Sequence, residues 1–144
     1  MYHYEQEHGQ INEIFLHSEL VKTVLSPNQA QRFDVWPLGG LKVPDFLFHT
    51  PGNFDNQIAA VEVKTAHLSP DNLINDLIKL TELRQNYRYH LGIFHCVNTN
   101  IGRLRALLNE SDALAVGLDH DILIECKPGY GQMLQSCMLG ELLT

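Results

Sequence analysis

Apolar positions near the start of the chain recur at helical spacing, and those after it recur at strand spacing. Ile11, Ile14, Phe15, Val21, Val24 and Leu25 share one stripe, which predicts a helix over about residues 9–25. Ser26-Pro27-Asn28 stops it. Three extended segments follow: Gln31–Trp36, Leu41–His49 with its aromatic and branched residues, and the apolar run Ile58–Lys64. Pro37-Leu38-Gly39-Gly40 and Thr50-Pro51-Gly52-Asn53 separate them. Such short connections favour antiparallel neighbours.

Ser69-Pro70-Asp71 reads as a helix start, with a capping hydroxyl, proline at the first helical position and a carboxylate at the positive end. The helix predicted from it runs to about Asn86 and buries Leu73, Leu77, Leu80 and Leu83. Tyr89–Val97 is the next strand, and the helical crossover before it implies parallel pairing with the third. A short helix over Ile101–Leu108, a strand over Asp121–Cys126 and a helix over Gln132–Leu142 complete the pattern. The expected architecture is a single domain over residues 1–144, a three-layer α/β/α fold. Its central mixed sheet is covered by helices on both faces.

Composition narrows the function classes. The chain is 44% hydrophobic and 19% charged, as a globular domain is. Its apolar runs are too short to span a bilayer, and the Tyr2-His3-Tyr4-Glu5 start lacks the features of a secretion signal. A cytoplasmic protein without a membrane partner is expected. Cys96, Cys126 and Cys137 are odd in number and not closely spaced, which argues against a disulfide framework or a structural zinc site. Cys96 and Cys126 are expected as small core hydrophobes. The net charge of −7 disfavours a nucleic-acid partner overall, but residues 79–105 hold Lys79, Arg84, Arg88, Arg103 and Arg105 against Glu82 alone. That band is the candidate nucleic-acid-binding surface; a solvated helix face is the competing reading.

The candidate chemistry lies in Val43-Pro44-Asp45-Phe46 and, downstream, Val61-Glu62-Val63-Lys64. Glu62 and Lys64 are two apart on one strand and so project from one face. Asp45 belongs to the antiparallel neighbour, so a hairpin would bring both carboxylates beside one ammonium. Charges within apolar strands require compensation. Magnesium suits two carboxylates, because it keeps waters and takes substrate phosphates as further ligands.

Pro44-Asp45 followed by Glu62-Val63-Lys64 resembles the PD-(D/E)xK signature of the restriction endonuclease-like superfamily. The αβββαβ order over about residues 9–97 is similar to that superfamily's core, with residues 98–144 left as a C-terminal αβα extension. The resemblance implies a nuclease that uses Mg2+ or Mn2+ and acts on DNA before RNA. Asp45 and Glu62 would be metal ligands, the Val63 carbonyl a further ligand and Lys64 the catalytic lysine. It also implies a glutamate from the first helix, for which Glu19, at the border of the apolar stripe, is the candidate; a solvated carboxylate is its plain alternative. Asp76 and Lys79 pose the same question, and an i, i+3 ion pair explains both without function. A homodimer is a further implication, with Met133, Leu134, Met138, Leu139, Leu142 and Leu143 forming either a dimer face or a cap on the sheet. Two other classes compete with the nuclease. One is a binding module on the same fold without useful turnover. The other is a small-molecule phosphoesterase, for which no phosphate-cradling glycine loop is present.

Overall fold

The computed structural model describes residues 15–17, 44–50, 53–65 and 67–143. Among them, six strands form one mixed open sheet in chain order: β1 (Phe15–His17), β2 (Phe46–Thr50), β3 (Asn53–Lys64), β4 (Leu91–Val97), β5 (Leu123–Lys127) and β6 (Gln135–Met138). β1 is a three-residue edge segment beside the body formed by β2–β6. β2 is antiparallel to both neighbours, β3, β4 and β5 are mutually parallel, and β6 is antiparallel to β5.

The parallel pairs follow from helical crossovers. β3 leads into α1 (Pro70–Asn86) and then β4, and β4 leads into α2 (Ile101–Asn109) before β5. Ser69 caps α1 as its sequence implies, its hydroxyl accepting the Asn72 N–H at 3.2 Å. Asn100 caps α2 in the same way, accepting from the Arg103 N–H at 2.8 Å. A third helix, α3 (Leu139–Leu142), is a single turn.

The core lies between the helices and one face of the sheet. Leu73, Leu77, Leu80 and Leu83 of α1, Leu104, Leu107 and Leu108 of α2, and Leu139 and Leu142 of α3 pack with Leu47, Ala60, Phe94, Cys96, Ile124 and Cys126. Cys96 and Cys126 sit side by side in register and fully buried, as core residues. Thr81, buried on α1, donates to the Leu77 carbonyl and accepts the Asp119 N–H at 3.0 Å, which ties the segment before β5 to the helix.

Among the described residues the helices pack on one face of the sheet, and most of the segment expected as the first helix lies outside them. Two expectations need correction. The helix expected over residues 9–25 is contradicted at Phe15–His17, where the backbone is a strand paired with Leu47–His49. The remainder of that segment, Glu19 included, lies outside the described residues, as does Gln31–Trp36. The helix expected over Gln132–Leu142 is instead β6 followed by one helical turn. β5 presents backbone donors and acceptors on its outer side, and Gln135–Met138 satisfies them as an antiparallel edge. Helical spacing of the apolar residues there loses to that pairing.

Candidate functional site

The site grows from the hairpin of β2 and β3. Phe46 pairs with Val61, so Asp45, one residue earlier, stands opposite Glu62 and on the same face of the sheet. The ladder ends there, and the next free amide is taken by a side chain: Asp45 Oδ2 accepts the Val63 N–H at 2.8 Å. Asp45 therefore also finishes the strand pairing. Glu62 and Lys64 alternate onto the face that carries Ala60 and the helices, while Val63 points to the other.

α1 brings two further charges over this face. Asp76 and Lys79 lie one turn apart, 3.5 Å from each other (Oδ1 to Nζ). Lys79 also donates to Glu62 Oε1 at 3.1 Å. Lys64 Nζ is 3.5 Å from the same oxygen of Glu62 and 3.3 Å from Asp76 Oδ2. The result is a closed ring of alternating sign, Glu62–Lys64–Asp76–Lys79, with Asp45 beside it. Glu62 is only 2% exposed, Lys79 and Asp76 are mostly buried, and Lys64 reaches solvent at the mouth.

Burial dominates the electrostatics of Glu62. It pushes the carboxyl above the ordinary value of 4.5; Lys79 pulls it down and Asp45 pushes it up further. Burial alone would lower Lys64, but the Asp76 and Glu62 carboxylates outweigh it and raise the amine above its ordinary 10.5. Lys64 is therefore an ammonium at neutral pH. Two oxygens of the ring, Glu62 Oε2 and Asp76 Oδ2, are buried without a hydrogen-bond partner among the described residues; Lys64 lies 3.3 Å from the second, whereas no cation is in ionic contact with the first.

That orphaned oxygen of Glu62, on a carboxyl close enough to Asp45 to feel its charge, is what a hard cation with waters of its own would fill, so Asp45 and Glu62 fit magnesium or manganese. The Val63 carbonyl is in the same segment. Among the described residues, no three His, Cys, Asp or Glu side chains gather as a ready ligand cluster, and Asp76 is engaged by the two lysines.

The basic band separates in space. Lys79 is drawn into the ring, and Arg84 pairs with Asp119 at 2.6 Å. Arg88 is exposed in the connection from α1 to β4, at the amino-terminal edge of the parallel strands. Arg103 and Arg105 are exposed on α2, which starts from the carboxyl edge of β4. The acid-x-lysine end of β3 lies at that same carboxyl edge, where open α/β sheets present their ligand crevices.

Sequence reasoning explained Asp76 by its ion pair with Lys79, which is present, but missed its reach to Lys64. The available signal was an acid on the stripe of α1 that carries Leu73, Leu77 and Leu80. No helix among the described residues is long and apolar enough to cross a membrane. No known protein family, characterised protein or solved structure matches this chain.

Proposed function

We propose that this chain is a magnesium- or manganese-dependent phosphodiesterase acting on nucleic acid, DNA before RNA, of the restriction endonuclease-like kind. The observation that carries the proposal is the Glu62 carboxylate, buried with one oxygen unpartnered, directly across a hairpin from Asp45 and two residues from Lys64. Asp45 just before β2 and Glu62-Val63-Lys64 at the end of β3 support the reading that the sequence resemblance suggests.

Asp45 and Glu62, with the Val63 carbonyl, would hold the cation. When bound, it lowers the pKa of a coordinated water and stabilises charge on a phosphoryl oxygen. The chain's own contribution centres on Lys64. Held as an ammonium by Asp76 and Glu62 at the solvent-facing mouth, it is placed to hydrogen-bond a non-bridging phosphate oxygen or to orient a water. The same raised pKa makes it a poor proton acceptor, which favours electrostatic stabilisation over general-base catalysis. Asp45 keeps the hairpin end closed through Val63, so the distance between the two acids is set by backbone pairing. Arg103 and Arg105 supply exposed cations toward the same edge for a phosphate backbone.

A second reading is a binding module on the same fold without turnover. The bond from Lys79 to Glu62 favours it, because an ammonium there offsets the buried carboxylate without any metal. A cleavage panel of duplex, single-stranded and branched DNA plus RNA, run with each divalent ion, separates the two. Activity dependent on Mg2+ or Mn2+ and lost in Asp45→Ala and Lys64→Ala is expected. Equal cleavage by the wild type and those variants rejects the site.

A further inference from the structure

We infer that Lys79 is an internal competitor for the cation at this site: its ammonium sits on Glu62 where a divalent ion would compensate the charge, and it shifts onto Asp76 when the ion arrives. The inference rests on the metal-dependent reading above and adds to it a residue that sets metal affinity.

Four observations lead there. Lys79 makes the shortest ionic contact to Glu62, 3.1 Å to Oε1, while the other oxygen of that buried carboxylate has no hydrogen-bond partner among the described residues. Lys79 Nζ is already 3.5 Å from Asp76 Oδ1, so the transfer needs only a small swing at the end of a flexible side chain. The lysine is mostly buried, so a second carboxylate must receive the ammonium once Glu62 turns to a metal. Asp76 fills that role and explains an acid buried on the apolar stripe of a helix. Finally, Asp45, Glu62 and Asp76 outnumber Lys64 and Lys79 by one, so these five groups carry a net negative charge. One divalent ion would make it net positive, matched to a single phosphodiester anion.

A purely structural ring predicts the opposite behaviour. If Lys79 only braces the fold, its removal loosens the carboxylates and weakens metal binding. If it competes, its removal strengthens binding. The deciding measurement is Mn2+ affinity of the full chain by titration calorimetry at neutral pH, for wild type, Lys79→Met and Lys79→Gln. Lys79 holds Oε1 and leaves Oε2 open, so the competition is between two positive charges for one carboxylate, and removing the ammonium should tighten Mn2+ binding about tenfold in both variants. Asp76→Asn should weaken it, because Lys79 then has Glu62 alone.

Wild-type binding with equal or weaker binding in the lysine variants overturns the competitor role and leaves the metal site standing. Absence of Mn2+ binding in all of these proteins overturns the metal site itself, and this inference with it. Tight binding that appears only in the lysine variants supports the inference. Should Lys79→Met unfold without metal, its recovery by Mn2+, read as a restored thermal transition, supports competition. Failure of Mn2+ to restore it overturns the idea.

Discussion

Replacing Glu62 by glutamine removes one charge and keeps the shape of the side chain. Breaking a buried ion pair from one side costs about 3–5 kcal/mol when it strands the partner. Here neither partner is stranded. Lys64 retains Asp76 at 3.3 Å and Lys79 retains it at 3.5 Å. The glutamine carbonyl can still accept from Lys79, which now donates to Oε1 at 3.1 Å. Working the other way, burial holds the Glu62 carboxyl above 4.5, so the fold disfavours its ionised form. The two effects nearly cancel, and Glu62→Gln should change stability by no more than about 1 kcal/mol near neutral pH.

The pH dependence has a definite sign. A carboxyl whose pKa is raised on folding contributes stability that is fully present below its unfolded value of 4.5 and is lost as pH rises through the folded value. Lowering the pH from neutral toward 4.5 should therefore stabilise the wild type relative to Glu62→Gln. Urea unfolding across that window measures both quantities. Added Mn2+ at about a hundredfold excess over its dissociation constant should stabilise the wild type by about 2.7 kcal/mol and the variant hardly at all. A loss above about 3 kcal/mol in Glu62→Gln at neutral pH would refute the reasoning, since it would make Glu62 the structural centre of the ring.

Two further outcomes test the fold that holds the site. Phe94, fully buried on the central strand β4 beneath the helices, should lose about 3–5 kcal/mol on Phe94→Ala by chemical denaturation, and a loss under about 1 kcal/mol would deny that this interface is the core. Arg88 follows the α1 cap with φ 62, a left-handed position that favours glycine, so Arg88→Gly should raise stability by about 1 kcal/mol; a lower melting temperature would mean that the guanidinium contributes more than the strain removes.

Local chemistry was the legible part of the sequence. The Ser69-Pro70 start of α1, the apolar run of β3 and the crossover to β4 all lie within short windows and fold as those windows suggest. That a hairpin can bring Asp45 and Glu62 together was legible too, but their register was not, because two irregularities between Phe48 and Thr50 shift the pairing before it reaches Phe46 and Val61. Nor was the pairing of the edge strands. Met133, Leu134, Met138, Leu139 and Leu142 carry helical spacing, yet an unfilled edge of β5 draws Gln135–Met138 into a strand and leaves only Leu139–Leu142 helical. Phe15–His17 was lost to a strand edge in the same way. Charge summed along the chain also misled, because it does not say where a side chain points. Lys79 and Arg84 count toward a basic band, but on the folded helix both are committed to carboxylates.

All five charged groups of the site come from one uninterrupted stretch, Asp45 to Lys79, made of a hairpin and the first helix after it. α2, β5, β6 and α3 contribute none of them and act as a buttress. Substitutions in that buttress can therefore retune solubility, assembly or the surface offered to a partner while leaving the ionic machinery intact.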